Sequence, residues 1–361
     1  MASNLIEANA VAAPGVRLKR SRRRTPWATV ILLVAPFLIV YVAFLIYPTV
    51  RVILLSFTNA DIAGIGSFTG TANYVRLWKD PLFWATLVHT MYFIALTVIP
   101  NTLLGLVFGL IVVRQKRLLR SAVLVLLFLP NVLPVGVVTQ IYLWVLSAAY
   151  GIVNYIFAVR INWFQDPGWA MPSVAFVTIW WTVGFNMLLF IAGLEAIPKE
   201  YYEAASLDGA GTGVRVFRYI TWPLVWPVTS LVFVLQLILQ WKIFDQVYLL
   251  TGGGPFNRTN VVILYMYQQA FTRAKGGYAS TIAIALFVII LISSLTQVRL
   301  LRARGSKRNQ CRTRRQTVRR RAPGPVGSAP PPARTASHGA DDRLRPTRRA
   351  RRRRRQARTL R

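Results

Sequence analysis

Long apolar stretches alternate along the chain with short, polar, turn-rich connections. Six stretches are long enough, at 1.5 Å per residue, to cross a hydrocarbon layer of roughly 30 Å as helices. They cover about 27–50, 85–113, 118–146, 169–194, 224–250 and 278–300. Pro36 and Pro48 fall inside the first, a break that a membrane helix tolerates when neighbours satisfy the freed backbone groups. Residues 51–85 are mixed polar and aromatic, residues 114–120 form the basic turn RQKRLLR, and Ala149–Gly168 is rich in aromatics and turn formers. The pattern predicts an all-α integral membrane protein with six transmembrane helices.

Six crossings put both ends of the chain on one side. Lys and Arg are dense in the arm before Trp27, in the Arg114–Arg120 turn and after Arg299. The opposite loops carry only Arg51, Arg76, Lys79, Arg160, Arg258, Arg273 and Lys275, spread over a greater length. The positive-inside rule then makes both termini cytoplasmic, and with them the connection between the fourth and fifth spans.

Composition agrees. With 54% hydrophobic residues and a mean hydropathy of +0.44, the chain is too apolar for an ordinary soluble domain. The net charge of +33 suggests nucleic acid at first sight, but about half of the basic residues follow Val298, so the charge is no footprint on a folded face. Cys311 is the only cysteine, and His89 and His338 are far apart, so neither an internal disulfide nor a metal site is expected. The basic Arg17–Arg24 run leads into an apolar stretch too long for a cleavable signal, with no small-residue cleavage site behind it.

The fourth connection, 197–223, carries the strongest motif. The stretch Glu203–Pro227 reads EAASLDGAGTGVRVFRYITWPLVWP. Tyr201–Leu207 predicts a short helix in which Ala204 and Ala205 let a partner approach closely. Gly209, Gly211 and Gly213 break it, glycine costing about 1 kcal/mol against alanine inside a helix, and Val214–Ile220 predicts a second, amphipathic piece. Glu203, Ala204, Ala205, Asp208, Gly209, Ala210, Phe217, Ile220, Pro223 and Pro227 stand in the register of the EAA loop, and the chain resembles the permease subunits of binding-protein-dependent ABC importers. Trp222 departs from the leucine usual before the first proline, apolar for apolar. The resemblance implies that this loop docks in a cleft of an ATP-binding subunit, with Glu203 as an acidic contact and Asp208 as a cap or second polar contact. The bland alternative is an ordinary connector, which need not hold so many positions in register.

A second motif, Phe244–Phe271, reads FDQVYLLTGGGPFNRTNVVILYMYQQAF. Its Gly-Gly-Gly-Pro run demands a turn, and no Gly-Lys-Ser/Thr follows to make it a nucleotide loop. Phe244, Val247, Leu250, Thr251, Gly253, Gly254, Pro255, Thr259, Tyr265, Tyr267, Ala270 and Phe271 resemble the segment after the fifth span of carbohydrate-class (maltose and glycerol-phosphate type) permeases. That implies a sugar or related polyol as cargo, with a glycerol-phosphate ester as the non-sugar alternative.

Amides within the spans are costly unless they face a bundle interior or a cavity. Asn101, Asn131, Asn186, Gln236 and Gln240 are such residues, and Trp144, Trp181, Phe233 and Phe244 offer aromatic faces beside them. Asn131, Asn186, Gln236, Gln240 and Phe244 are the substrate-path candidates; the alternative is that the amides only bond helix to helix, worth about 0.6 kcal/mol each. Lys242 and Asp245, three apart within the fifth span, share a helix face. They are then either a coupling pair of an ion-driven secondary transporter or, with Trp241 and Tyr248, members of an interfacial belt.

The resemblance covers about Trp27–Leu301. Residues 1–26 read as a disordered basic arm and 302–361 as an Arg/Pro/Ala-rich disordered tail. The tail is either a polybasic segment on anionic lipid or the out-of-frame translation of a GC-rich gene, which resequencing of the 3′ end distinguishes. With no GxxxxGK[ST] sequence, the chain is not an ATPase. The resemblance implies a transport subunit rather than an enzyme, in a bacterial or archaeal plasma membrane, with no cofactor of its own. It implies a second homologous permease, two ATP-binding cassette subunits that use ATP and Mg, and an extracytoplasmic sugar-binding protein, with membrane lipid around them and no nucleic acid.

Overall fold

The computed structural model describes residues 27–207 and 213–321. Apart from one isolated antiparallel bridge, Thr58–Phe68, the described residues form helices and their connections. In chain order these are α1 (Trp27–Tyr41), a wide π-type segment (Val42–Ile46), α2 (Tyr47–Leu55), α3 (Ala72–Lys79), α4 (Pro81–Val113), α5 (Arg117–Val132), α6 (Val135–Val145) and α7 (Ile152–Ile156). Then follow α8 (Ala170–Glu195), α9 (Glu200–Leu207), α10 (Val214–Val216), a π-type segment (Phe217–Thr221), α11 (Trp222–Trp241), α12 (Asp245–Leu250), α13 (Val262–Tyr267), a third π-type segment (Gln268–Thr272) and α14 (Gly276–Arg321).

Five stretches are long and apolar enough to cross a membrane: Ile31–Leu55, Pro81–Val113, Ala170–Glu195, Val214–Trp241 and Gly276–Arg299. The expected third span, 118–146, is instead two helices, α5 and α6, bent by 102°. Proline explains the break. Leu133 precedes Pro134, whose ring disfavours the helical region for it, and it is extended at φ −71°, ψ 137°. The bent pair is held to α8 at two points: Trp181 Nε1 donates to Leu133 O at 3.2 Å and Asn131 Nδ2 to Trp181 O at 3.4 Å.

The fifth span also departs from expectation. It begins at Val214, not 224, because α10 and the π-type segment run without a break into α11; there is no separate amphipathic piece. It ends at Trp241. Lys242 caps α11 outside the helix (φ −99°, ψ 18°), and Phe244 (φ −146°, ψ −60°) precedes α12. Lys242 and Asp245 therefore do not share a helix face, and both are exposed.

The core is built on α4 and α8. Gly105 and Gly109, one turn apart on α4, lie against Asn186 and Phe190 of α8, where an added Cβ would come within 2.8 and 3.0 Å. Small residues at such points let helices approach closely in a membrane. Phe93, Val138, Val174, Val177, Val247 and Val261 are wholly buried in one apolar cluster, and Leu106, Phe190, Leu194, Ile197, Val225 and Val232 form another. Between Ile31 and Leu55 no residue is buried within the chain.

Two compact units divide the chain, Met1–Arg304 and Gly305–Arg361. Helical backbone runs to Arg321. Arg, Leu, Lys and Gln are good helix formers, and the next proline is Pro323. The expected disorder of 1–26 and of 322–361 lies outside the described residues.

Candidate functional site

The motif between the fourth and fifth spans forms a short helix on a rigid seat. In α9, Glu203 and Ala204 are exposed while Ala205 is buried, so of the two small residues expected at a partner contact only Ala204 is presented. Ala205 anchors the helix to its own chain. Tyr202, like Phe217 and Trp222, packs against the apolar cluster that holds Leu194, Ile197 and Val225, and its hydroxyl lies 3.3 Å from Thr221 Oγ1. Gly213 adopts φ +97°, a conformation natural to glycine, just before α10. Trp222 contacts both Phe217 and Trp226, so the departure from leucine adds ring packing. Phe217, Ile220 and Pro223 are half-buried on this seat. Asp208, Gly209 and Ala210 lie outside the described residues.

Two further groups, not singled out from sequence, brace this end. Arg120 Nη2 and Glu195 Oε1 form an ion pair at 2.6 Å, joining the start of α5 to the end of α8. A groove of about 830 Å³ is lined by Arg114, Glu195, Lys199, Tyr202, Ser206 and Thr221 among others.

The amides come together in the bundle interior. Asn101 Nδ2 donates to Thr182 Oγ1 at 2.7 Å and to Gln236 Oε1 at 3.4 Å; Gln236 Nε2 donates to Asn186 Oδ1 at 2.8 Å; Gln240 Nε2 donates to Gln236 Oε1 at 3.2 Å. This chain clamps α4, α8 and α11, and all four amides are buried. Asn101 Oδ1 and Asn186 Nδ2 have no protein partner. Asn131 is apart from it, spent on the α5–α8 contact. Phe244 lies outside the amide chain, in a row of aromatic rings. Of the other aromatic faces, Trp144 is exposed and Trp181 and Phe233 are half-buried.

At the opposite end from α9, the glycine turn takes the shape its sequence demands. Gly252 and Gly253 adopt φ +59° and +91°. Thr251 and Thr259 are joined at 2.8 Å, and Thr259 Oγ1 donates to Gly254 O at 2.6 Å, closing the loop before Pro255. The same end holds a cluster missed from sequence. Asp80 caps α4, accepting from Leu82 N at 3.0 Å and Phe83 N at 3.4 Å, and receives the hydroxyls of Tyr265 and Tyr278, each at 2.5 Å. Arg76 lies 4.1 Å over the Tyr278 ring. The local signal was the Asp-Pro pair opening an apolar run, an N-cap followed by proline at the first helical position. Burial works against ionisation of Asp80, but the two tyrosines and the two amides outweigh it and hold its pKa below the ordinary value. Tyr265 is pushed up to about 12 by burial and by the Asp80 charge it faces.

Comparison with known proteins places the chain. Residues 101–305 match the family described as binding-protein-dependent transport system inner membrane component, and the chain belongs to it. It is thus a multi-pass inner-membrane transport subunit, not an enzyme. The sulfoquinovosyl glycerol transport system permease protein SmoG of Agrobacterium fabrum is 31% identical over 280 residues, covering 76% of this chain and 90% of that protein. The trehalose/maltose transport system permease protein MalF of Thermococcus litoralis is 32% identical over 282 residues, covering 76% and 93%. Among solved structures, a chain of a bacterial ABC transporter that imports the acidic polysaccharide alginate matches with a TM-score of 0.68 at 22% identity, over 77% of this chain and 96% of that one. That likeness bears on the fold.

Proposed function

We propose that this chain is one of two permease subunits of an ATP-driven importer for a sugar or related polyol, and that it couples to an ATP-binding subunit through α9 and the loop that follows. The observation that carries the reading is the seating of α9. Its acidic, small-residue face is open at Glu203 and Ala204, while Ala205 and Tyr202 fix it to the ends of α8 and α11. A partner pulling on α9 would move both spans with it, because Ile197, Phe217 and Val225 pack beneath it as one apolar block. Alternating access rocks packed bundles about a central site, and this seat supplies the lever.

In this reading α9 and both termini face the cytoplasm, as the Lys and Arg distribution requires. The partners are a second homologous permease, two ATP-binding cassette subunits and an extracytoplasmic sugar-binding protein. ATP and Mg would be held by the cassette subunits. The sugar class draws support from the relatives named for sulfoquinovosyl glycerol and for trehalose and maltose. Asn186, Gln236 and Gln240, with Asn101, would form a polar floor beside the path and hold its walls together.

The test is co-purification with the cassette subunits. Wild type should bring them down, and Glu203→Lys and Ala204→Trp, both at exposed positions, should lose them while the permease pair stays assembled. Retention of the cassette subunits by both variants would overturn the assignment of α9.

A further inference from the structure

We propose that the Arg120–Glu195 ion pair is the joint that ties the bent pair α5–α6 to the α9 end of the molecule, which makes both residues positioning residues for coupling. The inference rests on the reading of α9 given above and extends it to a span that the α9 seat does not touch.

Three spans meet beneath α9 without help from charge. Leu106 of α4, Leu194 of α8 and Val225 of α11 share the apolar block there. No described residue of α5 belongs to that block. The apolar contact of α5 starts only at Val123 and Leu124, which pack against the cluster of Val112, Met187 and Ile191. From Arg117 to Ala122 only Arg120 is half-buried, and the other five residues are exposed. The first turn of α5 is thus held by Arg120, whose Nη2 lies 2.6 Å from Glu195 Oε1, a short, charge-assisted contact.

The pair stands where movement must pass. Glu195 is the last residue of α8, and α9 opens at Glu200. At the far end of the bent pair, Val138, Tyr142 and Leu146 of α6 lie in one cluster with Val247 and Leu250 of α12, which leads into the glycine turn. Between the two ends, Trp181 of α8 holds the break through Leu133 O. The bent pair therefore runs from the outer segment down to Glu195. A shift of the outer segment reaches the α8–α9 junction along it, and a shift of α9 reaches the first turn of α5 through the same bond.

Arg120 has a competing partner. Arg114, Lys116, Arg117 and Arg120 place four cations within seven residues, at a membrane face where lipid phosphates attract them. Mutual repulsion and the phosphates both draw Arg120 outward, and Glu195 draws it in. The two side chains are 33% and 44% exposed, and ion pairs so open to water add little to folding stability. The consequence of the pair is the position of the first turn of α5, which can be tested apart from assembly.

The test uses the complete importer, with its second permease, cassette subunits and binding protein, in nanodiscs that contain anionic lipid. ATP hydrolysis is measured without and with the binding protein, beside co-purification of the cassette subunits and thermal unfolding. Glu195→Arg and Arg120→Glu should each cut the stimulation by the binding protein about threefold or more, within the range for residues that carry coupling, and leave unstimulated hydrolysis within about twofold. The cassette subunits should stay bound, and the melting temperature should move by less than about 4 °C. Glu195→Gln, which keeps the shape and a hydrogen bond, should fall between. Arg120→Glu combined with Glu195→Arg restores the attraction and should recover most of the stimulation.

Stimulation unchanged in both single reversals, or no better in the double reversal than in the singles, overturns the joint. A melting temperature that falls in step with the stimulation overturns it too, because the pair is then a brace for folding. The α9 reading fails on a different readout: Glu203→Lys and Ala204→Trp would keep the cassette subunits, and the joint would fall with it.

Discussion

Tyr265 and Asp80, 185 residues apart in sequence, are joined by a hydrogen bond of 2.5 Å in which the phenol donates to Oδ2. Tyr278 donates to the same oxygen. One carboxylate thus caps α4 and ties α13 and the start of α14 to it. Removing it takes away an N-cap, about 1 kcal/mol, and leaves two tyrosine hydroxyls unpaired, at about 1–3 kcal/mol each where burial is complete. Asp80→Ala should therefore destabilise the assembled permease by about 2–4 kcal/mol and Tyr265→Phe by about 1–2 kcal/mol, read from thermal unfolding in detergent.

The same pair fixes a pH dependence. The Asp80 pKa is lower in the folded chain than the ordinary 3.8, so its contribution is present above pH 3.8 and is lost as pH falls through the lower folded value. Tyr265 is raised to about 12, so its contribution is present below its ordinary 10 and is lost as pH rises through about 12. Unfolding followed from pH 3 to 12 should show an acid loss that disappears in Asp80→Asn and an alkaline loss that shrinks in Tyr265→Phe.

Two glycines should respond to alanine with opposite signs. A Cβ at Gly184 would sit 2.0 Å from Leu127 O and 2.8 Å from Phe128 Cα, all backbone of α5. The helices must part, and Gly184→Ala should cost roughly 3 kcal/mol or abolish assembly. At Gly136 nothing lies within 4 Å, and alanine there should stabilise α6 by about 0.5–1 kcal/mol. Melting temperatures of the two variants check both signs.

Gln236 is the hub of the amide chain, donating to Asn186 and accepting from Asn101 and Gln240. Interhelical side-chain bonds in membranes average about 0.6 kcal/mol and reach about 1.7. Gln236→Leu should therefore lower stability by about 1–3 kcal/mol, and Gln240→Leu, at the end of the chain, by less than 1 kcal/mol. Equal effects in unfolding assays would show that Gln236 is not the hub.

Apolar length alone made the spans legible, and the register of Glu203–Pro227 made α9 legible. Hydropathy carries no direction, so the bend at Leu133 was hidden although Pro130 and Pro134 stood in plain view. Apolar residues continue through Ile243, Val247 and Leu250, so the end of α11 at Trp241 was hidden too. Composition flagged Asn101, Asn186 and Gln236 as costly. Whether they faced a cavity or each other depended on how three helices are turned about their axes, which one sequence does not state. The Asp-Pro pair signalled only the cap; the tyrosines that Asp80 joins were silent because they lie 185 and 198 residues away.

The break after Trp241 also bears on what drives transport. A proton-coupling pair needs its two charges close together and shielded from water, so that protonation of one changes the other. Lys242 and Asp245 are both exposed, on opposite sides of a break between α11 and α12. The only ion pair among the described residues is Arg120–Glu195, at the α9 end. Lys242→Ala with Asp245→Ala should therefore leave the energy source unchanged: uptake into proteoliposomes should survive collapse of the proton gradient and stop when ATP is withheld. Uptake that needs the gradient and ignores ATP would return these two residues to the centre of the mechanism and remove α9 from it.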